Sequence, residues 1–199
     1  MNTAVRSGLI AAMSLALGSC AALGPSEAPP DTFEISSPEP PQNATSRSRA
    51  QILIAEPTAL RTLDSDNILV KTTPYTVEYL AGGQWSDRLT RMVQLRMLQA
   101  FENSGRVGAV GVPGQGLAID YQIVMELRRF EIAVWQGNQA VIEISVKALN
   151  DRDGQVRASR VFQTSEPVQG GSNEERIAAM DRAFDRISHQ IVDWALAAF

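Results

Sequence analysis

Few side chains in this sequence could do chemistry, and the first is a lone thiol. Cys20 is the single cysteine among 199 residues and closes the run Leu17-Gly18-Ser19-Cys20. It has no partner for an internal disulfide and no second sulfur to share a metal. The single histidine, His189, follows Ser188 and lies four residues beyond Asp185. Hydroxyls and carboxylates are common neighbours on a helix surface, and a Ser/His/Asp site needs partners brought together from afar. No catalytic constellation is expected. A metal site requires several histidine, cysteine or carboxylate ligands, and scattered carboxylates alone do not establish one. The glycine-rich Gly111-Val112-Pro113-Gly114-Gln115-Gly116 carries no Gly-Lys-Ser/Thr, so it is no phosphate-binding P-loop. The chain is expected to be no enzyme and to need no cofactor.

A different kind of chemistry, recognition, is legible around Trp85-Ser86-Asp87-Arg88-Leu89. A tryptophan and an arginine this close have two readings. In one, the indole packs beneath a helix and Arg88 pairs with a nearby carboxylate. In the other, Trp85 and Arg88 form a partner-facing anchor, since both residue types are enriched at interface hot spots. The helix that follows, expected from about Ser86 to Asn103, has Leu89, Met92, Val93, Met97, Ala100 and Phe101 on one broad stripe. Leu95 and Leu98 fall off it. A helix apolar on two sides is either sandwiched in its own domain or meets a partner, so both leucines are candidate interface residues, and a ring or dimer is conceivable. Ser86 is the expected N-cap, with Asp87 favourable in the first turn.

The remaining elements follow from periodicity. Thr32-Phe33-Glu34-Ile35-Ser36 alternates as a first strand, and Ile52 to Ala55, Ile68 to Val70 and Tyr75 to Leu80 read as further strands, the last broken by Gly82-Gly83. The stretch Gly108 to Gly116 reads as a loop. The longest β signal has Ile119, Tyr121, Ile123, Met125 and Leu127 apolar at odd positions, then Phe130, Ile132 and Val134 at even ones. A strand keeps period 2, so this change of phase predicts one extra residue, a β-bulge, at Arg128-Arg129. Turns at Gln136-Gly137-Asn138 and Asn150 to Gly154 complete a three-strand meander ending near Thr164. Ser172-Asn173-Glu174-Glu175 is a capping box, opening a helix with Ile177, Met180, Phe184, Ile187, Ile191 and Trp194 at spacings of three and four. The expected fold is a single α/β domain with a mixed, largely antiparallel sheet flanked by two main helices.

The first nineteen residues read as a signal segment. Arg6 is the positive n-region and Leu9 to Leu17 the apolar h-region. Nine residues are too few to span a bilayer, which takes about 20, but suit an h-region. Leu-Gly-Ser-Cys at its end resembles the lipobox of bacterial lipoproteins, in which the leader is removed and the cysteine becomes fatty-acylated. An ordinary secretory leader, cut at Gly18-Ser19 or Ala21-Ala22, is the alternative. Stable anchoring takes more than one acyl chain. The expected organisation is a signal peptide over 1–19, an acylated tether over 20–31 and a folded domain over 32–199. A second Pro-rich linker is expected over Pro38 to Arg49. The Asn43-Ala44-Thr45 triplet matches a glycosylation sequon and reads as chance beside a bacterial lipobox.

Net charge is −4. Removing the leader takes away only Arg6, leaving 17 basic against 22 acidic residues and a net −5. The basic footprint of nucleic-acid binding is absent, and no Lys/Arg cluster targets anionic headgroups.

Taken in order, several of these pieces resemble the ABC-type transport auxiliary lipoprotein family. They are Cys20, the Thr32 to Ser36 strand, Ile54-Ala55-Glu56-Pro57, Asn67-Ile68-Leu69-Val70, Trp85-Ser86-Asp87-Arg88-Leu89, Asp120-Tyr121 with Phe130, and the last helix with Trp194. Each motif is loose; their order and spacing carry the likeness, which covers nearly the whole chain after the leader. The long Pro-rich stretch after Ser36 and the phase change at Arg128 depart from it. The resemblance implies a domain like that at the N-terminus of TolB. It also implies a role as periplasmic accessory to an ABC lipid transporter whose substrate-binding subunit carries mammalian cell entry (MCE) domains, with separate permease and ATPase subunits. Ala21, rather than Asp, after the cysteine implies the periplasmic face of the outer membrane. The competing reading is an envelope scaffold or regulator, such as an activator of a cell-wall synthase.

Overall fold

The computed structural model describes residues 29–40 and 48–198. Cys20, the leader, most of the tether and the Asn43 triplet lie outside the described residues. Nine strands form one mixed sheet, and two helices cover one of its faces. The strands are β1 (Asp31–Phe33), β2 (Gln51–Ile54), β3 (Thr58–Ala59), β4 (Asn67–Lys71), β5 (Glu78–Trp85), β6 (Ala109–Gly111), β7 (Tyr121–Ala133), β8 (Gln139–Asn150) and β9 (Val156–Pro167). Helix α1 is Leu89–Asn103 and α2 is Asn173–Ala197.

Strand β7 is the spine. Its one edge pairs antiparallel with β8 along its whole length, and β8 pairs antiparallel with β9, giving the expected meander. Its other edge is shared end to end by β2, β3 and β4, all parallel to it. Beyond these, β6 extends β2, while β5 and then β1 extend β4. The long ladders are antiparallel and the short ones mostly parallel.

The bulge falls where the phase change placed it. Leu127 faces Ile144 and Arg129 faces Glu143, leaving Arg128 as the extra residue. Because of it, Ile123, Met125 and Leu127 before the bulge and Phe130 and Ile132 after it all reach the helix-covered core, each almost wholly buried. From β8, Ala140, Ile142, Ile144, Val146 and Ala148 join them.

Four expectations need correction. Gly82-Gly83 does not end a strand but lies inside β5, where Gly83 pairs with Asp31. A Cβ on Gly83 would sit 3.1 Å from both the Phe33 ring and Leu80, so the missing side chain makes room for β1. Tyr75 to Val77 form the turn ahead of β5 rather than its start. The glycine-rich stretch contains β6, a short strand that its glycine content masked. Helix α1 begins at Leu89, not Ser86. Pairing with β1 holds the chain extended through Trp85, and the Ser86 amide donates to the Phe33 carbonyl, so neither Ser86 nor Asp87 caps the helix.

Candidate functional site

The residues with interface potential cluster at the start and outer side of α1. Trp85, the last residue of β5, is 2% exposed. Its ring meets Phe130 edge-on at 6.1 Å, and Phe130 in turn touches Phe184 of α2 at 6.3 Å. The indole therefore ties β5, β7 and α2 together and presents no surface. Of the two readings of this segment, burial against Phe130 fits packing for Trp85 and leaves its ring no face to offer a partner.

Arg88 lies three residues further on and half-exposed. Its two terminal nitrogens reach Glu56 at 2.6 Å and Asp64 at 2.7 Å. The Thr90 hydroxyl donates to Asp64 at 2.7 Å. The hydrogen bond to Glu56, with the fields of both carboxylates, holds the guanidinium pKa above its ordinary value. The α1 N-terminus has no side-chain cap; the Leu89 amide donates instead to the Ser65 carbonyl. Contacts from the β3–β4 connection thus do the work that a capping residue would do locally.

Leu95 and Leu98 stand on the outer side of the same helix. Leu95 is 36% exposed, and Leu98 is half-buried against the rim of the core. With Met92 they floor a groove of about 330 Å³, rimmed by Glu34, Asp87, Arg96 and Gln99. Arg96 bridges to Glu34 at 3.0 Å and donates to Gln99 at 3.0 Å, so the rim is ordered and polar around an apolar floor. An apolar floor inside a polar rim has the make-up of a surface that can accept an aliphatic or aromatic side chain.

The other chemistry-bearing residues do not assemble. Ser188 is buried and its hydroxyl donates to the Asp185 carbonyl at 2.8 Å. His189 Nε2 lies 2.7 Å from the Glu39 carbonyl oxygen and 3.8 Å from the Asp185 carboxylate. The serine is thus spent on its own helix, and the imidazole is engaged by a distant segment. Among the described residues, no group of acidic, histidine or cysteine side chains is arranged to hold a metal.

Sequence reasoning missed that distant segment. Residues 34–40 cross both helices as a strap. Ile35 is buried, the Ser36 amide donates to Asp181 at 2.7 Å, and the Glu39 amide donates to Asp185 at 3.2 Å. Asn103 of α1 donates to the Pro38 carbonyl at 2.9 Å. The expected linker from Pro38 onward is docked, at least through Glu39. Its partners lie 65 to 146 residues away, and no local pattern marks them.

Comparison with known proteins now places the chain. A sequence model of the ABC-type transport auxiliary lipoprotein component family matches residues 33–192. An uncharacterized protein of Bradyrhizobium diazoefficiens, bll6063, is 29% identical over 99% of this chain, which spans 52% of that relative's length. The crystal structure of protein XCC0632 from Xanthomonas campestris superposes with a TM-score of 0.79 at 29% identity, covering 84% of this chain and 95% of that one. The hypothetical protein CT253 from Chlamydia trachomatis shares the fold at a TM-score of 0.51 and 10% identity, over 75% of this chain and 98% of its own. With the match extending from β1 to within the last turns of α2, this chain belongs to the ABC-type transport auxiliary lipoprotein component family.

Proposed function

We propose that this chain is a lipid-anchored, non-catalytic accessory of an ABC transporter that moves phospholipid or another hydrophobic substrate between the inner and outer membranes. The anchor is Cys20, acylated after removal of residues 1–19, and the address is the periplasmic face of the outer membrane. No helix among the described residues is long and apolar enough to cross a membrane, which fits attachment through a lipid. The partner is the MCE-domain subunit of the transporter, with the permease and ATPase in the same assembly.

The observation that carries this reading is the α1 groove. Leu95 and Leu98 leave an apolar floor open on a helix whose other face is fully used by the core, and an ordered polar rim surrounds it. Membership in a family of transport auxiliaries supplies the kind of partner. The test is capture of the acylated protein from gently solubilised membranes, with the bound proteins identified. An MCE-domain subunit should be recovered with the native chain and lost with Leu95→Asp, while thermal unfolding of that variant stays close to native. Recovery of a cell-wall synthase instead, with no MCE protein, would transfer the role to an envelope regulator.

A further inference from the structure

The two ends of the sheet differ in charge. At one end lie the β4–β5 turn (residues 72–77), the β7–β8 turn (134–138) and the β9–α2 connection (168–172). None of these three segments contains Asp, Glu, Lys, Arg or His; the nearest charges flank them, among them Glu78, accepting from the Thr72 hydroxyl, and Arg129, donating to Gln136. At the other end, the β8–β9 turn and its neighbourhood carry Asp120, Asp151, Arg152 and Asp153. The uncharged end is also where exposed apolar side chains gather. Tyr75 is 94% exposed and Trp135 42%, and Val77, Tyr79 and Val134 are exposed beside them. The two turns are neighbours, because Lys71 pairs with Ala133 at the last rung before both.

The N-terminal end of β1 points toward this same end. Strand β1 runs parallel to β5 with Asp31 opposite Gly83, so the chain before Asp31 heads back along β5 toward Glu78 and the turn that precedes it. Eleven residues from Ala21 to Asp31 reach at most ~36–40 Å. From Gly83 back to Tyr75 is eight residues, at most ~27 Å of strand. An anchor at Cys20 therefore has enough chain to let the uncharged end touch the surface that holds it.

We propose that this end of the sheet, with Tyr75, Val77, Val134 and Trp135 foremost, beds into the lipid surface to which the tether leads. The inference rests on the reading of Cys20 as the acylated residue. Tyrosine and tryptophan favour the membrane–water interface, where an apolar ring and a polar edge are both satisfied. The loop tips themselves carry no charge, so the flanking Glu78 and Arg129, each already hydrogen-bonded to a loop residue, limit how deep they enter. The turns are also pre-shaped: the Thr73 hydroxyl accepts from the amides of Tyr75 and Thr76, and Gly137 and Asn138 close the other turn in left-handed conformation. Ordering on contact therefore costs little. Attachment would then fix the domain's orientation, with the charged end pointing away from the bilayer.

The test uses the full-length acylated protein on vesicles of phosphatidylethanolamine and phosphatidylglycerol containing acyl-brominated lipid. Trp85 is buried and Trp194 packs on Phe162, so Trp135 is the tryptophan within reach of the bilayer. Bromolipid should quench part of the emission, and that part should vanish in Trp135→Phe. In Val134→Asp the quenching should drop while the protein still floats with the vesicles. Flotation without any Trp135 quenching overturns the inference and leaves the anchor standing. An unmodified Cys20 in the mass spectrum overturns the anchor instead. The inference then stands or falls on whether added vesicles quench Trp135 in the free chain. Protection of Trp135 only when transporter subunits are present, with no bromolipid quenching, also overturns it.

Discussion

Helices α1 and α2 lie side by side on one face of the same sheet, yet they begin in opposite ways. The start of α2 is written locally. Ser172 accepts from the Glu175 amide at 3.2 Å, and Glu175 accepts from the Ser172 amide at 2.8 Å, with Glu174 beside them in the first turn. The start of α1 has no capping side chain and no acidic residue in its first turn. Strand β5 delivers the chain, Trp85 anchors the end of that strand against Phe130, and Arg88 ties the helix start to Glu56 and Asp64. The difference teaches which helix can spare a face. α2 buries its stripe along β8 and β9, whereas α1 sits toward β2 and β6 and keeps Leu95 and Leu98 at its outer side.

The contrast can be broken most severely at Trp85. Trp85→Ala removes a fully enclosed ring packed edge-on against Phe130 of β7, and should cost about 3–5 kcal/mol in denaturant unfolding. A loss below about 1 kcal/mol would mean that the pocket collapses and that α1 does not depend on the indole. Ser172→Ala attacks the other helix where it is locally specified. It should cost about 1 kcal/mol, with faster amide exchange confined to the first turn of α2. Equal acceleration at the start of α1 would show that the two helices do not begin independently.

Acid should act on the same end of α2. Backbone and hydroxyl hydrogen bonds hold the carboxyls of Glu174 and Glu175 below their ordinary pKa. A carboxyl with a lowered folded pKa adds stability above its unfolded pKa, and that contribution is lost as pH falls through the folded value. Stability should therefore decline as pH drops below the ordinary carboxylate range, and less steeply in Glu175→Gln. An unchanged slope in that variant would remove the box from the account. Arg88→Ala should shift thermal unfolding less than Ser172→Ala does, because its ion pairs are half-exposed and screened, and the shift should shrink further in high salt. Smallest of all, Leu95→Asp should leave stability within roughly 0.5 kcal/mol while abolishing capture of the partner.

What could be read from the sequence followed from how local its cause was. The bulge at Arg128 was legible because a core on one face forces a period of two, and a broken period shows itself residue by residue. The box at Ser172 was legible because its donors and acceptors lie within three residues. β3 and β6 were not, since two or three residues pair only because β7 and β2 offer them an edge. The start of α1 was misplaced by three residues for a similar reason: Ser86 has a capping side chain, but its amide is already committed to Phe33. In the candidate site, Leu95 and Leu98 emerged from their position off the helical stripe. Trp85 could not be assigned, because nothing in a sequence says whether an aromatic before a helix lies under it or beside it. The strap over α2 was beyond reach, as Ser36 and Asp181 meet only in three dimensions.

The central claim, that the open side of α1 is where this domain meets its transporter, is tested most directly by a photo-crosslinking amino acid placed at residue 95 of the acylated protein in native membranes. The account predicts a covalent adduct with the MCE-domain subunit, absent when the probe sits at the solvent-exposed Arg152. Adducts to a different envelope protein, or none in membranes that contain the assembled transporter, would contradict it.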